Sequence, residues 1–131
     1  MSDASSQDTP FRIERLKKRP HFLACAQGAA CARGAVLIQA RFREDSARDE
    51  GPLVRAGFTA TKRIGGAVER NRAKRRLREA ARLLLAAHAS PGFDYVFVAR
   101  GGVTTRPWPR LLDDVKSALI RLAADRERPA V

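Results

Sequence analysis

Residues 62–82, KRIGGAVERNRAKRRLREAAR, leave this chain few ways to fold. They hold nine Lys or Arg and two Glu, a net +7 out of +12 for the whole chain. A stretch so charged packs only if it puts an apolar stripe on one side and its cations on the other. Taking Leu77 as zero and turning 100° per residue, Ala73, Ala80, Ala81 and Leu84 fall within about 60° of it. Arg72, Lys74, Arg75, Arg78 and Arg82 fall on the far side, with Asn71 among them. The spacing predicts a half-buried helix over 67–87. Arg70 lands near the apolar edge and is expected to act from the helix end. Gly65 and Gly66 stand just before the helix, where glycine lets the backbone approach a phosphate at an N-terminus.

A solvated charged face is the ordinary reading of such a helix. Here the acids are too few for i,i+4 pairing, so the cations repel one another in the isolated protein. An anionic partner offsets that repulsion. A polyphosphate backbone does so with release of condensed counterions, which points to nucleic acid.

The 131 residues suit one domain with a modest core. No run approaches the ~18 apolar residues of a membrane span. The polar, slightly acidic start of the chain does not read as a signal peptide, so a cytoplasmic location without a membrane partner is expected. The two cysteines, Cys25 and Cys31, and the two histidines, His21 and His88, do not make a zinc set, and the cysteines are expected as reduced thiols. The histidines stand alone, and no chemistry is assigned to them.

Residues 1–11 lack an apolar period and are expected as a disordered tail. A basic run over 12–19 leads into a short helix over 20–27, with Pro20 in its first turn and Gly28 at its stop. Residues 35–43 alternate, with Val36, Ile38, Ala40 and Phe42 opposed to Leu37, Gln39, Arg41 and Arg43. Residues 53–62 alternate too, with Val54, Ala56, Phe58 and Ala60 opposed to Arg55, Gly57, Thr59 and Thr61. Both read as half-buried strands with one polar face. An acidic loop over 44–52 joins them. After the basic helix, 93–100 reads as a strand buried on both faces. A loop over 101–107 follows, and a short strand is possible near 101–106. A last helix spans 109–122 on Leu112, Val115, Leu119 and Leu122, before a flexible tail over 123–131. The order helix-strand-strand-helix-strand-helix predicts an α+β two-layer sandwich, one domain over 12–122, with a small, mostly antiparallel sheet.

No catalytic residue and no protein-bound metal is expected. The carboxylates are scattered, and Asp113 and Asp114, adjacent on a helix, read as surface charges. No Ser–His–Asp or Cys–His arrangement suggests itself. The glycine pairs at 65–66 and 101–102 match neither a P-loop nor a dinucleotide fingerprint. The chain reads as a binder. Its broad basic face favours backbone and shape recognition, hence RNA. Phe22 is the aromatic residue expected to be exposed enough to stack, while Phe58 and Phe97 are expected in the core.

The segment IGGAVERNRAKRRLREA over 64–80 closely resembles the signature of the bacterial ribonuclease P protein subunit. RLKK over 15–18 followed by Phe22, VRAGFTATKR over 54–63, DYVFVAR over 94–100 and the last helix extend the resemblance over residues 12–122. It implies the following. The holoenzyme removes the 5′ leader of precursor tRNA. A large RNA subunit carries the active site and binds its magnesium ions, so the protein alone needs no cofactor and no protein partner. The protein grips that RNA through Arg70, Asn71, Arg72, Lys74, Arg75, Arg78 and Arg82, with Lys62 and Arg63 at the approach. It holds the leader in a cleft between the first helix and the sheet, formed by Phe22, Arg15, Lys17, Lys18, Gln39, Arg41, Thr59 and Thr61. The family fold contains a left-handed βαβ crossover. Ala26 and Ile38 stand where the family carries aromatic residues, implying weaker stacking on the leader and more reliance on charge. Ala73 stands where a larger aliphatic residue is usual.

Two other readings share the charge pattern. A structural RNA binder such as a ribosomal protein has a similar fold and no turnover. A helix-turn-helix DNA binder is disfavoured, because two strands directly precede the basic helix.

Overall fold

The computed structural model describes residues 11–43 and 52–127. The tail expected over 1–11, apart from Phe11, the acidic loop, apart from Pro52, and residues 128–131 lie outside the described residues. Five strands form one sheet in the order β1-β4-β5-β3-β2. They are β1 (Arg12–Arg15), β2 (Ala29–Arg33), β3 (Val36–Phe42), β4 (Leu53–Thr59) and β5 (Phe93–Ala99). Three helices accompany them: α1 (Arg19–Ala26), α2 (Ala67–His88) and α3 (Trp108–Glu127). A single 3-10 turn, Lys62–Ile64, precedes α2.

The α+β class and the two alternating strands are as the sequence predicts. On β3, Val36, Ile38 and Ala40 are buried and pack in the main core. That core also takes Val54 and Ala56 from β4, Tyr95, Phe97 and Ala99 from β5, and the inner stripes of α2 and α3. Phe97 is fully buried, and its ring stacks on Phe58 at 5.2 Å between centroids. Burying a side chain of this size contributes about 1.5–3 kcal/mol. Phe58 is only partly buried.

Several expectations need correction. The sheet is mixed rather than mostly antiparallel: β1·β4 and β4·β5 are parallel, and β5·β3 and β3·β2 are antiparallel. The parallel pair β4·β5 arises because α2 returns the chain across the sheet. The helices do not share one side. Leu16, Phe22 and Cys25 cluster with Val96 and Val98, on the face opposite Tyr95 and Phe97, so α1 covers the second face.

Two strands escaped the sequence reading. All four residues of β1 are exposed, so it carries no hydrophobic alternation. It exists through its parallel ladder to β4, continued by Leu16 N–H donating to Ala56 O at 2.8 Å. β2 is AACAR, and only Cys31 is buried. Alanine is a weak strand former, and β2 exists as one arm of a hairpin with β3. No strand forms near 101–106, which is a series of turns.

The last helix runs on to Glu127, past the expected Leu122. Its inner stripe is centred on Leu111, with Val115, Ala118, Leu119 and Leu122, and Leu112 packs against it partly buried. Asp114 is buried rather than a surface charge. It accepts a hydrogen bond from Ala35 N–H at 3.1 Å and pairs with Arg106 at 2.5 Å. Gly34, at φ +50°, makes the turn between β2 and β3 where a Cβ would sit 2.3 Å from the Asp114 carboxylate.

Candidate nucleic-acid interface

On α2, Ala73, Leu77, Ala80, Ala81 and Leu85 are buried, with Leu84 partly so. This inner stripe fixes the outer face. Asn71, Arg72, Arg75, Arg78 and Arg82 are exposed, while Arg70 and Lys74 are half-buried. Lys62 and Arg63 are exposed on the 3-10 turn that leads into the helix. Gly65, at φ +140°, and Gly66 link that turn to α2, and the Gly66 cap makes no side-chain bond.

The arginines of this element have distinct surroundings. Arg70 Nη1 donates to Gly65 O at 2.9 Å and braces the approach turn. The Arg78 guanidinium lies 5.8 Å from the Phe58 ring centroid, so a sheet aromatic steadies a surface cation. Arg82 pairs with Glu79 one turn back, and that hydrogen bond holds the Glu79 carboxyl below its usual value. Part of the charge expected to be free is therefore engaged locally. Arg76 turns inward. It donates to Val103 O at 2.6 Å and to Arg106 O at 2.7 Å, and lies 5.6 Å from the Trp108 ring centroid.

The second face of the sheet carries a cleft beneath and beside α1. Phe22 rests on Gly57, where a Cβ would meet its ring at 2.6 Å and Leu16 Cβ at 3.2 Å. Arg15, Leu16, Lys17 and Phe22 line a shallow depression. Register aligns Leu37, Val98 and Thr59 in one row, Gln39, Val96 and Gly57 in the next, and Arg41, Asp94 and Arg55 in a third. Gln39, Arg41 and Thr59 therefore share the face covered by α1. Thr61 does not. It stands beyond the end of β4, and its carbonyl accepts from Ile64 N–H at 3.0 Å, which makes it part of the approach to α2. The Phe22 ring is half-buried against the sheet rather than freely exposed.

Sequence reasoning missed the floor of this cleft. Asp94 is fully buried and holds Arg43 at 2.7 Å and Arg55 at 2.7 Å. Two cations around one anion leave a positive floor. His21 senses it: burial lowers its pKa, and Arg55, Lys18 and Arg41 lower it further against an opposing effect of Asp94. Only the sheet register, which no single strand reveals, places Arg55 beside Asp94.

Among the described residues, no three His, Cys, Asp or Glu side chains gather as a metal site. No helix among the described residues is long and apolar enough to cross a membrane.

A basic helix over a mixed sheet, with a cationic cleft behind it, matches a known family. The model of the family described as Ribonuclease P matches residues 12–123. The chain belongs to the ribonuclease P protein family. It is 67% identical over 118 residues to the ribonuclease P protein component of Caulobacter vibrioides, covering 90% of this chain and 76% of that one. The ribonuclease P protein component of Ruegeria pomeroyi is 48% identical over 115 residues, covering 87% and 90%. The solved RNase P protein of Staphylococcus aureus superposes with a TM-score of 0.65 at 23% identity, covering 83% of this chain and 94% of that one. That likeness supports the fold alone. Within a ribonuclease P protein, the α2 face and the α1 cleft are two separate basic surfaces on opposite sides of one sheet.

Proposed function

We propose that this ribonuclease P protein binds the catalytic RNA through the outer face of α2 and the 5′ leader of precursor tRNA in the α1 cleft. The observation that carries the reading is the division of α2. Its stripe from Ala73 to Leu85 is buried while Arg72, Arg75 and Arg78 stand exposed. Those arginines screen phosphate repulsion as two RNAs approach, and counterion release favours the complex.

Cleavage itself is assigned to the RNA subunit and the magnesium ions it binds. The chain supplies position and charge. In the cleft, Phe22 offers a ring edge and Arg15, Lys17, Lys18, Arg41 and Arg55 offer cations, an arrangement suited to a single strand held by charge more than by stacking. Ile38 is buried in the main core on the opposite face of the sheet, so a ring there would not reach the cleft, contrary to the expectation from the sequence. With Ala26 also lacking a ring, Phe22 is the stacking group of the cleft.

Reconstitution tests this. Adding the chain to ribonuclease P RNA at low magnesium is expected to restore 5′ cleavage of precursor tRNA and to favour precursor over mature tRNA. Unchanged cleavage overturns the reading. Replacing Phe22 by Ala is expected to weaken precursor binding by a factor that grows with leader length, and an equal loss for leaderless tRNA removes the leader role.

A further inference from the structure

The glycine pair at 101–102 serves neither the core nor the α2 face. Val103 N–H donates to Arg100 O at 3.2 Å, and Gly102 sits between them at φ +86°. This is the pattern of a type II turn, which needs glycine at its third position. Gly102 is thereby explained. Gly101 is not: it occupies the second position, which accepts most residues and favours proline, its φ is not left-handed, and an added Cβ would meet nothing within 4 Å. Neither backbone strain nor packing within the chain requires a glycine there. Close approach of another molecule's backbone is a use that a glycine there would serve.

The surroundings specify that molecule. Gly101 and Gly102 are exposed residues, and their amides meet no acceptor among the described residues. Exposed amides on a turn that passes through a left-handed residue suit an anion. Arg100, exposed, starts the turn, and its own N–H donates to Ala35 O at 2.9 Å, which seats it beside the β2–β3 hairpin and exposed Arg33. Arg110, also exposed, follows in the first turns of α3. Among the described residues none of these three arginines has an ion-pair partner. Of the nearby acids, Asp114 is occupied by Arg106 and Ala35, and Asp113 is exposed on α3. Arg76 joins this end of the sheet to α2 through Val103 O and Arg106 O.

We propose that the Arg100–Gly101–Gly102–Val103 turn, flanked by Arg33 and Arg110, is a second contact for the phosphate backbone of the catalytic RNA. The turn lies where β5 ends, and α2 begins where the parallel neighbour β4 ends, so both contacts occupy the same end of the sheet. The inference rests on the reading of α2 as the primary RNA contact.

The test is the salt dependence of binding between the full chain and ribonuclease P RNA. A triple variant, Arg33→Gln, Arg100→Gln and Arg110→Gln, is expected to lower the logarithmic salt slope by about one unit per lost contact, up to about three. Gly101→Ala is expected to weaken binding several-fold with an unchanged melting temperature. Suppose both variants bind like the parent while Arg75→Gln lowers the slope. The turn is then not a contact, and the α2 reading stands. Parent-like binding by Arg75→Gln together with a loss in the triple variant contradicts the α2 reading and removes this inference's premise as well.

Discussion

Asp94 and Arg55 form a two-pronged ion pair between the parallel strands β4 and β5. Arg55 Nε donates to Oδ1 at 2.8 Å, and Nη2 donates to Oδ2 at 2.7 Å. Arg43 Nη1 also donates to Oδ1 at 2.7 Å, and its Nη2 reaches Leu53 O at 2.7 Å. Asp94 thus ties the end of β3 and the start of β4 to β5 beneath α1. Removing one member of a buried pair leaves an uncompensated charge, which costs about 3–5 kcal/mol. Asp94→Asn is therefore expected to lower the free energy of unfolding by about that much in a urea titration. A change near zero indicates that solvent reaches the two guanidinium groups.

Arg76 separates structure from binding on a single helix. Its two hydrogen bonds to Val103 O and Arg106 O hold the loop before α3 against α2. Burial lowers its pKa, with Arg72 adding to the effect, yet a guanidinium stays charged. Arg76→Leu is expected to destabilise the fold by about 1–3 kcal/mol, because the part-buried Val103 and Arg106 carbonyls lose their donor. The salt slope for RNA binding is expected to match the parent, unlike that of Arg75→Gln. A slope reduced as far as in Arg75→Gln places Arg76 on phosphate instead.

Gly57 sets the seat of Phe22. An alanine there puts its Cβ 2.6 Å from the Phe22 ring, so α1 has to lift from the sheet. Gly57→Ala is expected to cost about 1–3 kcal/mol of stability, as overpacking does. It is also expected to reduce the preference for precursor over leaderless tRNA while leaving affinity for the catalytic RNA unchanged. Retained preference and stability show that α1 tolerates the shift.

Cys25 gives a pH-dependent readout of the same packing. It is fully buried, and burial pushes its thiol up to about 11, with Asp94 adding to the effect. The folded thiol thus holds its proton above the pH at which the unfolded thiol releases it. Its contribution to stability is full below the ordinary value near 9 and is lost as pH rises toward about 11. At pH 8, about one part in a thousand is thiolate. Iodoacetamide is therefore expected to label Cys25 only after unfolding, with mass spectrometry locating the adduct. Rapid labelling of the folded chain contradicts a closed α1–sheet contact.

Elements written as one-dimensional patterns were legible before any coordinates. The α2 stripe from Ala73 to Ala81 repeats at helical spacing, β3 and β4 alternate, and the outward set Arg72, Arg75 and Arg78 follows once the stripe is known. Burial of a continuous apolar face is strong enough to dictate these elements locally. β1 and β2 have no such pattern. RIER and AACAR become strands only because β4 and β3 offer them unpaired backbone groups.

Partnership between distant segments marks the division. Periodicity alone determined that this chain has a cationic helix with an apolar underside and a sheet beside it. The tertiary structure alone decided that Asp94 is buried between Arg55 and Arg43, that Asp114 is buried and held by Ala35 N–H and Arg106, and that Arg76 faces inward while Arg75 faces out. An ionised side chain has the same sequence symbol whether solvent or another charge surrounds it. What surrounds it depends on which strands lie side by side, and that is a property of the packed chain.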